Sequence, residues 1–206
     1  TLSSSSAASD VYKRQGASFD ELSVINSEET GLKFFSGFAN VINAMRTCGK
    51  IIIARIQGKC IGGGVGLAAA ADYAIACEGA DVKLSELAVG IGPFVVGPAV
   101  ERKIGLSAFS QLTIDAVTFR PADWARRKGL YAELHPDVDG MDESIIRLST
   151  TLSHSNPDAL HELKTIFWKG TEHWDQLLKE RAAISGRLIL SEYSKAFIQR
   201  FKQKLS

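Results

Sequence analysis

The sequence predicts an α/β fold whose last third is all helical, on three observations. The run KIIIARIQG at 50–58 is β-branched and apolar, which reads as a buried strand. It leads through Gly62, Gly63 and Gly64 into the small-residue, helix-like VGLAAAAD at 65–72, and then into a second strand-like run, YAIAC, at 73–77. Past His135 the pattern changes: residues 141–152, 157–168 and 171–203 carry apolar side chains at helical spacing and contain no strand candidate.

In chain order, TLSSSSAASDVYKRQ at 1–15 begins without methionine, is rich in Ser and Ala, and has no apolar signal-like segment. It resembles translated adapter or vector sequence and is set apart, so the native reading starts near Gly16. Ser27 then precedes Glu28, Glu29 and a stripe of Leu32, Phe35, Phe38, Val41, Ile42 and Met45, which predicts a capped amphipathic helix. The strand at 51–57, the glycine junction with its helix, and the strand at 73–77 follow. VKLSE at 82–86 predicts a third strand. Gly90, Gly92, Pro93, Gly97 and Pro98 punctuate a loop leading into a helix that ends near Gly105. Pro121 opens another helix, which stops at Gly129. The expected organisation is a core at 16–136 and a C-terminal helical, oligomerisation region at 137–206. The apolar faces of that region (Leu160, Leu163, Phe167, Trp168; Leu177, Leu178, Ile184, Leu188) exceed what a small appendage can hide, so they pack on the core or on a neighbouring subunit.

Composition narrows the function. A chain of 206 residues with 45% hydrophobic content can bury one sizeable core. Twenty-four Lys and Arg against 23 Asp and Glu give no electrostatic case for nucleic acid or an anionic membrane. Apolar stretches break well short of about 20 residues, so no membrane span is expected. Cys48, Cys60 and Cys77 lack metal-ligand spacing, and their odd number gives no disulfide framework, which fits the cytoplasm, or the mitochondrial matrix in a eukaryote.

Three adjacent glycines need a physical reason, because each disfavours a regular element by roughly 0.5–1 kcal/mol relative to alanine. They lie at a strand-to-helix junction, where unpaired N–H groups at the helix start point outward toward an anion or a polarised oxygen. A P-loop requires Lys-Ser or Lys-Thr after its last glycine, whereas Val65 and Gly66 follow here. The dinucleotide fingerprint fits no better, since it needs spaced glycines and a later acidic residue. No side chain in 61–71 can act as acid, base or nucleophile, so any chemistry there works through backbone N–H. Close packing of helix on strand is the alternative reading.

The ordered motifs IIARIQGKCIGGGVGLAAAADYAIA, LSELAVGIGP, ERKIG and FRPADWARRKGLYAEL resemble the crotonase, or enoyl-CoA hydratase/isomerase, superfamily. The resemblance runs from about Gly16 to Ser206. It implies a crotonase-like spiral of ββα units followed by the C-terminal helical region, with an acyl-CoA thioester as substrate, no separate cofactor and no metal. It further implies two backbone donors to the thioester oxygen, Gly63 and, in GASFDEL, Ala17, where Ser18 departs from the family's usual Asp. Two such fixed donors suit a developing oxyanion, and losing one typically costs ~10²–10³ in rate. Many hydratases of the family carry two glutamates. Here Gly66 stands at the first position, and Glu86, 20 residues on, matches the second.

Glu86 is therefore the acid/base candidate, with Leu84, Leu87 and Val89 supplying an apolar setting that raises a carboxyl pKa; an ordinary exposed strand-end glutamate is the alternative. Gly62, Gly64, Gly66, Pro93 and Phe94 are the substrate-binding candidates, Phe94 standing where the family frequently has Gly. Glu101 and Arg102 read as a solvated pair, the four histidines as surface residues, and Lys195, Arg200, Lys202 and Lys204 as a basic helix end that could meet CoA phosphates. The expected activity is enoyl-CoA hydration, with methylglutaconyl-CoA or a related short branched substrate in view. A single-base double-bond isomerase and a catalytically inactive CoA-binding homologue or fragment are the alternatives. The resemblance also implies a homotrimer or hexamer. It places family strands upstream of Gly16, so these 206 residues are expected to leave a sheet edge open and to bind CoA weakly.

Overall fold

The computed structural model describes residues 19–203. Helices α1 (Phe19–Ser23) and α2 (Glu28–Thr47) precede strand β1 (Ile53–Ile56), the short β2 (Cys60–Ile61) and helix α3 (Gly63–Ala70). Then come β3 (Tyr73–Cys77), β4 (Val82–Lys83), a single 3-10 turn (Leu87–Val89), α4 (Gly97–Ile114), α5 (Ala122–Arg127) and β5 (Glu133–His135). Helices α6 (Val138–Ser153), α7 (Pro157–Phe167), α8 (Trp174–Leu188) and α9 (Glu192–Gln203) complete it.

The strands form two parallel sheets. One has the order β1-β3-β5, with Ile53 opposite Tyr73 and Ile75 opposite Glu133. The other pairs β2 with β4, Cys60 opposite Val82. Parallel strands covered by helices bury both faces, which is why β3 reads as an unbroken run of small and apolar residues. Ala74, Ile75 and Ala76 have no exposure at all. Alanines 68, 69 and 70 on α3, and Ala71 just past its end, are also buried, letting α3 pack close to the strands and to α4.

Ser27 caps α2 as the sequence indicates, accepting from the Thr30 amide, while the Thr30 hydroxyl accepts from the Ser27 amide. Four details differ from the sequence reading. The strand expected at 82–86 ends at Lys83, and Glu86 instead leads into the 3-10 turn. The helix expected to end near Gly105 breaks there, where φ is 77°, and then continues to Ile114. β2 and β5 join the sheets although neither was expected. Arg102 is no solvated partner of Glu101: it donates to the carbonyls of Phe167 and Lys169, closing the end of α7, and lies over the Trp168 ring.

One apolar core runs through both the α/β part and the C-terminal helices, taking in Val65 and Val82 together with Trp174, Leu178, Ala182 and Ile198. Two polar or glycine contacts fix the helices on it. Asp72, at the α3–β3 turn, accepts from the Ile52 amide, the Lys164 ammonium and the Trp168 indole. Lys103 donates to the carbonyls of Ala71 and Asp72 beside it, and burial lowers its pKa. Where α2 crosses α8, Gly31 meets Gly186 so closely that a β carbon on Gly31 would stand 2.7 Å from the Gly186 α carbon. The apolar face of α8 is thus used, whereas Leu163, Ile166 and Phe167 on α7 stay exposed.

Candidate active site

The glycine junction begins where the β2–β4 ladder ends. Cys60 N–H donates to the Asp81 carbonyl, and Gly62 N–H donates to the Lys83 carbonyl at 2.8 Å. Gly62 adopts φ 53° and ψ −117°, a conformation that side chains resist, and so turns the chain from strand into α3. Its carbonyl accepts from Val65 and Gly66. The amides of Gly63 and Gly64, in the first turn, have no acceptor among the described residues. Gly63 lines a cleft that lies between α2, the glycine junction and the segment after β4.

Glu86 is brought to the same cleft by β4 and the turn that follows. Its Oε1 lies 3.1 Å from where a β carbon on Gly62 would be, so the carboxyl sits directly against the glycine junction. Its Oε2 is shielded from solvent and has no hydrogen-bond partner among the described residues. Burial pushes the Glu86 carboxyl from an ordinary 4.5 up to about 7, with the backbone amides of Glu86 and Ser85 offsetting part of the effect. Such a group is poised to take up and release a proton near neutrality.

The rest of the lining is apolar. Phe35 and Phe38 come from α2, and Phe94 and Val95 from the loop after the 3-10 turn. Phe38 stands over Gly63, where its Cζ would be 3.0 Å from any added β carbon. Phe94 folds back over Gly92. Ser85 and Ser185 are the remaining polar side chains among the described lining residues.

Of the residues singled out from sequence, Gly62, Gly63, Glu86, Pro93 and Phe94 meet at the cleft. Gly64 and Gly66 do not line it. Gly64 faces the Cys60 sulfur, and Gly66 faces Val96, whose Cβ is 2.6 Å from where a β carbon would stand. Ala17 lies outside the described residues. Phe35 and Phe38, read from sequence as a core stripe, also wall the cleft; their sequence signal is the same as that of any buried helix face. Ser185 carried no signal at all. Of the basic residues near the C-terminus, Lys195 pairs with Glu192 and neither it nor Arg200 lines the cleft, while Lys204 and the side chain of Lys202 lie outside the described residues; α9 packs Tyr193 and Ser194 against Gly90, behind the turn that follows Glu86. No group of three or more His, Cys, Asp or Glu among the described residues is placed to hold a metal ion, and none of the described helices is long and apolar enough to cross a membrane.

The enoyl-CoA hydratase/isomerase family profile matches residues 15–205. The human mitochondrial Delta(3,5)-Delta(2,4)-dienoyl-CoA isomerase is 26% identical over 140 residues, 66% of this chain and 42% of that protein. The Rattus norvegicus enzyme of the same name is 31% identical over 131 residues, 63% of this chain and 40% of that one. Mevalonyl-coenzyme A hydratase from Beauveria bassiana is 29% identical over 127 residues, 61% of this chain and 44% of that protein. The chain therefore spans about two fifths of the curated relatives it matches. Among solved structures, an enoyl-CoA hydratase from Bacillus halodurans aligns with a TM-score of 0.81 at 21% identity, over 90% of this chain and 75% of that one. One from Mycobacterium avium aligns with 0.77 at 22%, over 86% and 69%.

Proposed function

The chain belongs to the enoyl-CoA hydratase/isomerase family and has its crotonase-like fold, and from that premise we propose that it shifts a carbon–carbon double bond in an enoyl-CoA with Glu86 as the sole proton carrier. The observation that carries this reading is the unpartnered, buried Glu86 oxygen in a cleft shared with the free Gly63 amide. In a 3-enoyl thioester, the Glu86 carboxylate takes a proton from C2, and the electron pair delocalises onto the thioester oxygen. The Gly63 amide, together with that of Ala17, holds the resulting oxyanion. The same carboxyl then returns the proton to C4, giving the 2-enoyl thioester with no net gain or loss of atoms. One base suffices, and Glu86 is the one carboxyl among the described lining residues.

Hydration is the second reading. Ser85 and Ser185 line the cleft and offer hydroxyls that could hold a water beside Glu86, and one matched relative bears the name of a hydratase. Against it stands Gly66, backed by Val96, which leaves no room for a second carboxylate. Incubation with 3-enoyl-CoA and 2-enoyl-CoA separates the two. The double-bond shift predicts interconversion of the enoyl isomers without 3-hydroxyacyl-CoA. Accumulation of 3-hydroxyacyl-CoA from 2-enoyl-CoA would establish hydration instead. Self-association through the exposed Leu163–Ile166–Phe167 face of α7 accompanies this reading, and sedimentation velocity measures it.

A further inference from the structure

The cleft is walled mainly by apolar side chains. Phe35, Phe38, Val89, Ile91, Phe94 and Val95 give it an apolar wall, and its polar side chains among the described residues are two serines and one carboxyl. No Lys, Arg or His is among the described lining residues. The Glu86 carboxyl is consistent with this: its pKa is raised by burial, and no cation among the described residues draws it back down. A second negative charge brought in by substrate would lose its hydration without gaining a counter-ion from the described lining residues, and would lie beside Glu86.

Resting on the acyl-CoA reading above, we propose that the cleft accepts an uncharged, apolar acyl group and rejects acyl chains that end in a carboxylate. A methylglutaconyl-like group falls in the rejected class, so this proposal favours a monoacid over the short branched diacid expected from sequence. Every methylene that enters such a wall adds transfer free energy equivalent to about a fourfold gain in affinity, until the cleft is filled. A distal carboxylate forfeits that gain and adds an unpaired charge.

Isothermal titration of the purified chain with octanoyl-CoA and with its ω-carboxy analogue tests this, because both are saturated and neither turns over. The expected result is at least about 30-fold tighter binding of octanoyl-CoA. Equal affinity, tighter binding of the carboxylated compound, or binding of neither would overturn the proposal. Preference for octanoyl-CoA without turnover of any enoyl-CoA would leave the charge selection standing and remove the catalytic reading alone.

Discussion

Lys164 on α7 reaches back 92 residues to Asp72, its ammonium 2.6 Å from Oδ2, with side-chain exposures of only 4% and 2%. The pair clamps the C-terminal helices to the α3–β3 turn, and the Trp168 indole and Ile52 amide complete the satisfaction of the carboxylate. Breaking one partner of a buried pair leaves a stranded charge, which typically costs 3–5 kcal/mol. Asp72→Ala is expected to lower stability by about that amount in urea unfolding at neutral pH, and Asp72→Ala with Lys164→Met to recover much of the loss.

The Gly31–Gly186 contact makes a sharp contrast within one helix. A methyl at Gly31 meets backbone atoms of Gly186 at 2.7 Å, so Gly31→Ala must push α2 and α8 apart and is expected to destabilise by about 1–3 kcal/mol. Gly37, exposed on the same helix with nothing within 4 Å, should behave oppositely. Gly37→Ala is expected to stabilise by roughly 0.5–1 kcal/mol, and the two melting temperatures check both signs.

Glu86 ties activity and stability to pH in opposite senses. Its folded carboxyl titrates at about 7 against an ordinary 4.5, so between those values the folded state binds the proton that the unfolded state has released. Stability from this group is therefore full below about 4.5, falls as pH rises, and is lost above about 7, by on the order of 3 kcal/mol. Glu86→Gln is expected to be the more stable protein at pH 8 and to gain nothing at pH 4, in denaturant titrations at the two pH values. It should also abolish turnover, and the wild-type kcat/KM should rise through pH 7 as the base ionises.

Gly66 and Val96 form a coupled pair. Gly66→Ala is expected to cost about 1–3 kcal/mol by overpacking, and Val96→Ala should relieve it, so that the double variant is more stable than the two single losses sum to. A double-mutant cycle by chemical unfolding reads the coupling directly; additive losses would mean that the surroundings relax freely at this contact.

Much of the fold and part of the site were legible from local chemistry. Ser27 announces α2 because a capping hydroxyl before an apolar stripe is a short-range signal, and the glycine junction announces itself because no other residue tolerates the Gly62 backbone. β5 escaped notice because Glu133, Leu134 and His135 are only half-buried and acquire strand character from pairing with Ile75–Cys77, far away in sequence. His135 escaped for the same reason: it looks like a surface residue until Glu133 is seen to gather it with Tyr73, Ser144 and Arg147. Within the site, Glu86 stood out only through the family resemblance, and the roles of Phe38 and Val96 depend on what faces each glycine, which no spacing encodes.

The Gly66–Val96 contact also constrains how this site can diverge. A carboxylate at position 66 would be useful only after Val96 had become smaller, and shrinking Val96 first opens a void worth on the order of 2 kcal/mol in lost stability. Each substitution alone is then expected to be deleterious and the pair tolerated, which is sign epistasis. On the single-base proposal, selection proceeding one residue at a time would keep the site at one carboxylate, unless prior stabilising changes elsewhere supply the margin to cross that gap.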